Sequence, residues 1–160
     1  EGRIGDARVA LLKPTTFMNE SGRALGAVLR YYKVEPAALI VFHDELYLAP
    51  GKLRVRLGGG SAGHNGMRSA IAHIGADFWR VRMGIGHPGD KDLVTDYVLS
   101  DFSKAESLWV EKLVDAASEA APLLLHGEKN DFMTRVAFLA PPPPRPSPRP
   151  RPNEESEDEP

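Results

Sequence analysis

The spacing of apolar residues changes period several times along this chain, and no other feature constrains the fold as much. From Glu20 to Lys33, Ala24, Leu25, Val28, Leu29 and Tyr32 recur at the intervals of one helix face. Leu39 to Phe42 is a continuous apolar run, the pattern of a strand covered on both faces. Lys52 to Leu57 alternates strictly, with Leu53, Val55 and Leu57 on one side and Lys52, Arg54 and Arg56 on the other. After Gly58, Gly59 and Gly60 a second helix is expected, carrying Met67, Ala70, Ile71 and Ile74 on one face; Trp79 to Gly84 reads as another alternating strand. Val9 to Leu12 reads as a short strand closed by Pro14. Ser103 and Glu106 stand at capping-box spacing before a long helix that reaches about Leu125, with Pro122 bending its end and Gly127 terminating it. A last short helix is expected around Phe132 to Phe138. Strands alternating with helices imply a single three-layer α/β domain on a mixed, mostly parallel open sheet.

The pattern covers residues 1–140. Residues 141–160 are a proline-rich, then acidic tail, expected to be disordered because it has almost nothing apolar to bury. The tail holds three arginines and five acids; taking those from the chain's 20 basic and 22 acidic residues leaves 17 of each in the domain. A whole-molecule basic field therefore cannot carry nucleic-acid binding, and any such site must be a local patch. There are no cysteines, which excludes disulfides and cysteine-based zinc sites and fits a reducing cytoplasm. No apolar run approaches membrane-spanning length. Strand-like sequence begins almost at Glu1, the pattern expected of a cut inside a domain.

Four clusters could carry chemistry. Asn19 ends Pro14-Thr-Thr-Phe-Met-Asn19, where strand gives way to helix; its amide can grip a peptide backbone or merely cap the helix. His43-Asp44-Glu45-Leu46 follows the apolar strand, where α/β sheets gather ligands, and a carboxylate there can orient a histidine. His43, adjacent to Asp44, is expected to point elsewhere and be structural. Gly58 to Gly66 is glycine-rich without P-loop or dinucleotide spacing; it lets backbone approach a ligand, and the following helix offers amides to an anion. Lys52, Arg54 and Arg56, joined by Arg80 and Arg82, could meet successive phosphates, although a solvated strand face gives the same alternation. The five histidines show no metal-binding spacing, and no metal or cofactor is expected.

Taken together, PTTFMN, HDEL, GGG…GHNG and WRVRMGIGHPGDK resemble, in order and spacing, the bacterial peptidyl-tRNA hydrolase family, from Ala7 to about Ala137. The resemblance implies a monomeric cytoplasmic esterase, free of metal, that acts on peptidyl-tRNA and recycles tRNA from stalled translation. It implies that Asn19 contacts the peptide, Asp44 orients the catalytic histidine, and Asn65 holds the attacking water or the scissile carbonyl. Met18, Gly63 and His64 would line the substrate site. Arg54 and Arg56 match positions that clamp the tRNA 5′-phosphate, and Arg82 a basic position near the acceptor stem. The family opens with a strand, a GNPG loop and the catalytic histidine, none of which is in this chain, so the chain alone is expected to fold poorly, or with a defective core, and to be inactive. Tyr47 stands where the family usually has an acid. The alternative is a non-catalytic, hydrolase-like RNA-binding protein; a joint Asn19, Asp44 and Asn65 favours the enzyme.

Overall fold

The computed structural model describes residues 1–144. The expected tail lies outside the described residues from 145 onward; before that point Pro142 and Pro143 sit against Gly51, within reach of the Trp109 ring.

Three strands form the central sheet: β3 (Ile40–Glu45), β4 (Leu53–Leu57) and β5 (Trp79–Gly84), in the order β3-β5-β4. β3 runs parallel to β5 and β4 antiparallel to it, so the sheet is mixed, as the alternation of periods implies. Two small strands near the start, β1 (Gly2–Ile4) and β2 (Ala7–Val9), pair only with each other, across Gly5 in the left-handed region at φ +56°. This corrects the strand expected at Val9 to Leu12. The hairpin stops at Val9, where Gly2 supplies the last partner, and Leu11 and Leu12 are left 86% and 43% exposed.

Helices cover both faces of the sheet. On one side lie α1 (Ser21–Tyr32) and α2 (Asn65–Ile74), whose Leu25, Met67 and Ala70 bury against Phe78, with Leu39 and Val41 packed beside them. On the other side α4 (Lys104–Leu125) and α5 (Lys129–Leu139) cover Leu53 and Val81 with Leu113, Ala116, Ala120, Leu124, Phe132 and Val136. Both Ser103–Glu106 capping-box bonds are made, and Pro122 falls within the last turn of α4 rather than ending it earlier. The helix α3 (Val94–Leu99) is one that sequence periodicity does not announce, being only six residues long.

Two close contacts tie α1 and the turn before it to α2. Gly22 in α1 lies directly on the backbone of Ser69 in α2, and its amide donates to Ser69 Oγ at 2.9 Å. Met18, just before α1, places its sulfur against Gly66 at the start of α2. The expectation that β3 is covered on both faces is corrected at Phe42, which is 48% exposed: among the described residues β3 pairs on one edge only, and α4 and α5 pack over β4 and β5.

Candidate active site

The carboxyl end of β3 delivers Asp44 to the amino end of α2. His64 is the N-cap of α2, and its Nδ1 accepts the backbone amides of Gly66 at 3.0 Å and Met67 at 3.2 Å. Nδ1 therefore carries the lone pair and Nε2 the hydrogen, which points at Asp44 Oδ1 3.0 Å away. Both ring nitrogens are committed. The hydrogen bond from His64 holds the Asp44 carboxyl below its ordinary value, against the burial that pushes it up. Oδ2 of Asp44 accepts from no side chain among the described residues.

His43 does not point away from this pair. Its Nδ1 donates to the Asp44 carbonyl at 2.7 Å, and its ring stands edge-on to His64 with centroids 5.2 Å apart. A side chain adjacent to Asp44 in sequence thus reaches the same neighbourhood because α2 comes down over it. Burial pushes the His43 imidazole below its ordinary value, and its Nε2 is buried with no partner among the described residues.

The asparagines approach from two directions. Asn65 opens α2 beside His64, exposed, with its Oδ1 accepting from Arg68 at 3.3 Å. Asn19 lies in a single 3-10 turn, Met18–Glu20, and is also exposed. The Gly22–Ser69 contact and the Met18–Gly66 contact bring that turn to the same end of α2. Gly63, at φ +79°, is the last residue of the glycine-rich loop before the cap.

A model of the family described as "Peptidyl-tRNA hydrolase" matches residues 1–143. The chain belongs to the peptidyl-tRNA hydrolase family. A peptidyl-tRNA hydrolase of Rhodospirillum centenum is 54% identical over 142 residues, covering 89% of this chain and 63% of its own length. One from Parvibaculum lavamentivorans is 58% identical over 137 residues, 85% of this chain and 67% of its own. The crystal structure of peptidyl-tRNA hydrolase from Acinetobacter baumannii superposes with a TM-score of 0.73 at 38% identity, over 80% of this chain and 65% of that one. The chain thus spans about two thirds of the length of the peptidyl-tRNA hydrolases it matches.

The basic residues of this family member divide by what they touch. Register places Arg54 opposite Arg82 and Arg56 opposite Arg80, so four guanidinium groups share one face of β4 and β5. Arg82 is tied to Glu45, Nε to Oε2 at 3.0 Å, and Glu45 is only 6% exposed. Arg80 is 3% exposed and hydrogen-bonds the glycine loop. Arg54 donates only to its neighbour's carbonyl, Leu53, and Arg56 lies over Gly59. Of the basic positions singled out by sequence, Arg54 and Arg56 are therefore unpaired with any acid among the described residues, whereas Arg82 is neutralised.

Two contributors, Glu45 and Ser69, escape the sequence reading, and His64 takes a role that reading does not give it. Glu45 holds Arg82 and also accepts the Tyr47 amide at 3.0 Å, which only the strand register reveals. Ser69 receives α1, and nothing in its local sequence marks it. His64 caps α2, a task usually given to Ser, Thr, Asp or Asn. That cap overturns the expectation that the amides opening α2 are free for an anion, since Gly66 and Met67 both donate to His64. No group of three or more potential metal-ligating side chains gathers among the described residues, and none of their helices is long and apolar enough to cross a membrane.

Proposed function

We propose that the chain serves hydrolysis of the ester bond between peptide and tRNA. The observation that carries this reading is the His64–Asp44 pair at the carboxyl end of β3, with Asn65 next to it and the Met18–Asn19 turn against the same helix end. In this reading Asn19 takes the peptide backbone and Asn65 holds the attacking water or the scissile carbonyl. Asp44 orients the catalytic histidine, and together with His64 it keeps the start of α2, and Asn65 with it, in place. Met18 and Gly63 shape the wall beside them. Arg54 and Arg56 draw the RNA phosphates, a salt-dependent contribution. Arg82, held by Glu45, serves that task only after leaving its partner.

Ester hydrolysis needs a base for the water and donors for the developing oxyanion. Neither nitrogen of His64 is free to be that base, and the unpaired nitrogen of His43 is buried. We infer that the base comes from residues beyond those described, in keeping with the greater length of the relatives. The same reading has the protein act as a cytoplasmic monomer.

The test is release of peptide from an N-blocked aminoacyl-tRNA, comparing the 160-residue chain with a form extended to its relatives' length. The extended form should turn over at least about a hundredfold faster, the smaller end of what a general base contributes. Equal, rapid turnover by the short chain would refute the placement of the base. If neither form turns over and both hold tRNA in a salt-sensitive way, a non-catalytic RNA-binding role replaces the enzyme.

A further inference from the structure

Beyond α5 the backbone comes to lie at the start of β4. Ala140 is 4% exposed, in the cluster that covers Leu53. Pro142 and Pro143 then rest on Gly51, where an added Cβ would come within 2.7 Å of Pro143 Cδ. Gly51 stands just before β4, the strand whose Arg54 and Arg56 are exposed and pair with no acid among the described residues. At about 3.4 Å per residue, Arg56 lies roughly 17 Å from Gly51 along the chain. The sequence that follows Pro144 separates its charges. Arg145, Arg149 and Arg151 come first; Glu154, Glu155, Glu157, Asp158 and Glu159 come after them, with no basic residue in between. Ten residue steps separate Pro144 from Glu154, and a chain of that length reaches up to about 36 Å. Both arginines are within that reach.

We propose that residues 154–159 dock on Arg54 and Arg56 and hold the basic face of β4 until RNA displaces them. Charge complementarity selects this place. Without the tail the chain holds 17 basic and 17 acidic residues, so the domain as a whole does not attract the acids. Arg54 and Arg56 project from one side of β4, with Arg82 and Arg80 opposite them in register, which concentrates positive potential there. A tethered acidic segment meets this face at an effective concentration on the order of millimolar. Ion pairs worth little between separate molecules then compete for it. An RNA that engages further phosphates displaces the segment, whereas an isolated anion does not. The proposal rests on the RNA-binding part of the proposed function and adds regulation of the same face.

The experiment compares the 15N-labelled 160-residue chain with a full-length form in which Glu154→Gln, Glu155→Gln, Glu157→Gln, Asp158→Asn and Glu159→Gln remove the acids. Without RNA and at low salt, the side-chain Nε–H resonances of Arg54 and Arg56 should differ between the two forms. Those of Arg23 and Arg135, which have acids of their own in Glu20 and Glu119, should coincide. About 1 M salt should erase the difference, because screening then acts within about 3 Å. An acceptor-stem RNA hairpin should bind the neutralised form roughly fivefold more tightly at low salt, the worth of two exposed ion pairs, and the gap should close at high salt. Identical Arg54 and Arg56 resonances overturn the docking even where affinity rises, since that rise is then plain repulsion of RNA by the acids. Equal affinity despite shifted resonances overturns the competition. If neither form binds RNA, the proposed function falls, and the arginine resonances, recorded without RNA, still decide the docking.

Discussion

Gly22→Ala should destabilise the chain, although alanine is the better helix former. The gain from propensity is at most about 1 kcal/mol. Against it stands geometry: a Cβ at Gly22 would lie 2.6 Å from the Ser69 carbonyl carbon and from His73 Nδ1, and closer still to the Ser69 carbonyl oxygen. Backbone atoms of a packed helix cannot swing aside, so α1 must back away from α2. Such overpacking costs about 1–3 kcal/mol, and loss of the 2.9 Å bond from the Gly22 amide to Ser69 Oγ adds about 1 kcal/mol. The net is a loss of about 2 kcal/mol, or roughly 4–8 °C in Tm for a chain of this size. Gly26 provides the control on the same helix. There a Cβ meets only the end of Arg30 at 3.3 Å and Ile74 Cγ2 at 3.7 Å, so Gly26→Ala should be neutral or stabilise by up to about 1 kcal/mol. Thermal and urea unfolding of the two variants decide the matter. If Gly22→Ala is as stable as Gly26→Ala, α1 does not press on the Ser69 backbone, and the mechanism that holds Asn19 beside α2 goes with that contact.

Three further outcomes are expected. His64→Ala removes the cap of α2 and the donor to Asp44; stability should fall by about 2 kcal/mol, and the Asp44 carboxyl, followed by NMR, should titrate closer to its ordinary value. Acidification should destabilise the chain in two stages. The His43 imidazole is held below 6.5 by burial, so its contribution is intact above pH 6.5 and declines as pH falls below it; Asp44 is held below 3.8 by its bond from His64, so its contribution is intact above pH 3.8 and is lost on falling through its lower folded value. A His43→Gln variant should lose the first stage in a pH series of urea midpoints, and an unchanged profile would refute that assignment. Glu45→Gln should cost about 2 kcal/mol yet steepen the salt dependence of RNA binding, because it frees Arg82; a slope that stays the same would mean Arg82 remains occupied.

Legibility from sequence tracks how local each feature's cause is. Trp79–Gly84 and the Ser103 cap are readable because side-chain alternation and a three-residue spacing determine them without reference to the rest of the chain. The helices α1 and α2 are readable for the same reason. The strand expected at Val9 to Leu12 fails because a strand needs a partner, and the partner, Gly2–Ile4, carries no alternation to announce itself. In the site, Asp44 is readable from its place just past an apolar run, which the structure makes the carboxyl end of β3. Its bond to His64 is not, since 20 residues separate them and only the descent of α2 onto β3 joins them.

The arginines show why a repeat in sequence can hide several roles. Alternation at Arg54, Arg56, Arg80 and Arg82 gives all four the same appearance, and cross-strand register sets them in two like-charged pairs. Like charges directly opposite on a sheet are destabilising, so each pair must be relieved. On the β5 side relief is internal: Glu45 neutralises Arg82, and the Gly59 and Gly60 carbonyls solvate Arg80. On the β4 side no acid pairs with Arg54 or Arg56 among the described residues. The uneven relief separates a structural half of the basic face from a half available to a polyanion, and it joins that half to the glycine turn through Arg56. A ligand phosphate would supply on the β4 side what Glu45 supplies on the β5 side, so binding RNA should also raise stability, and more at low salt than at high.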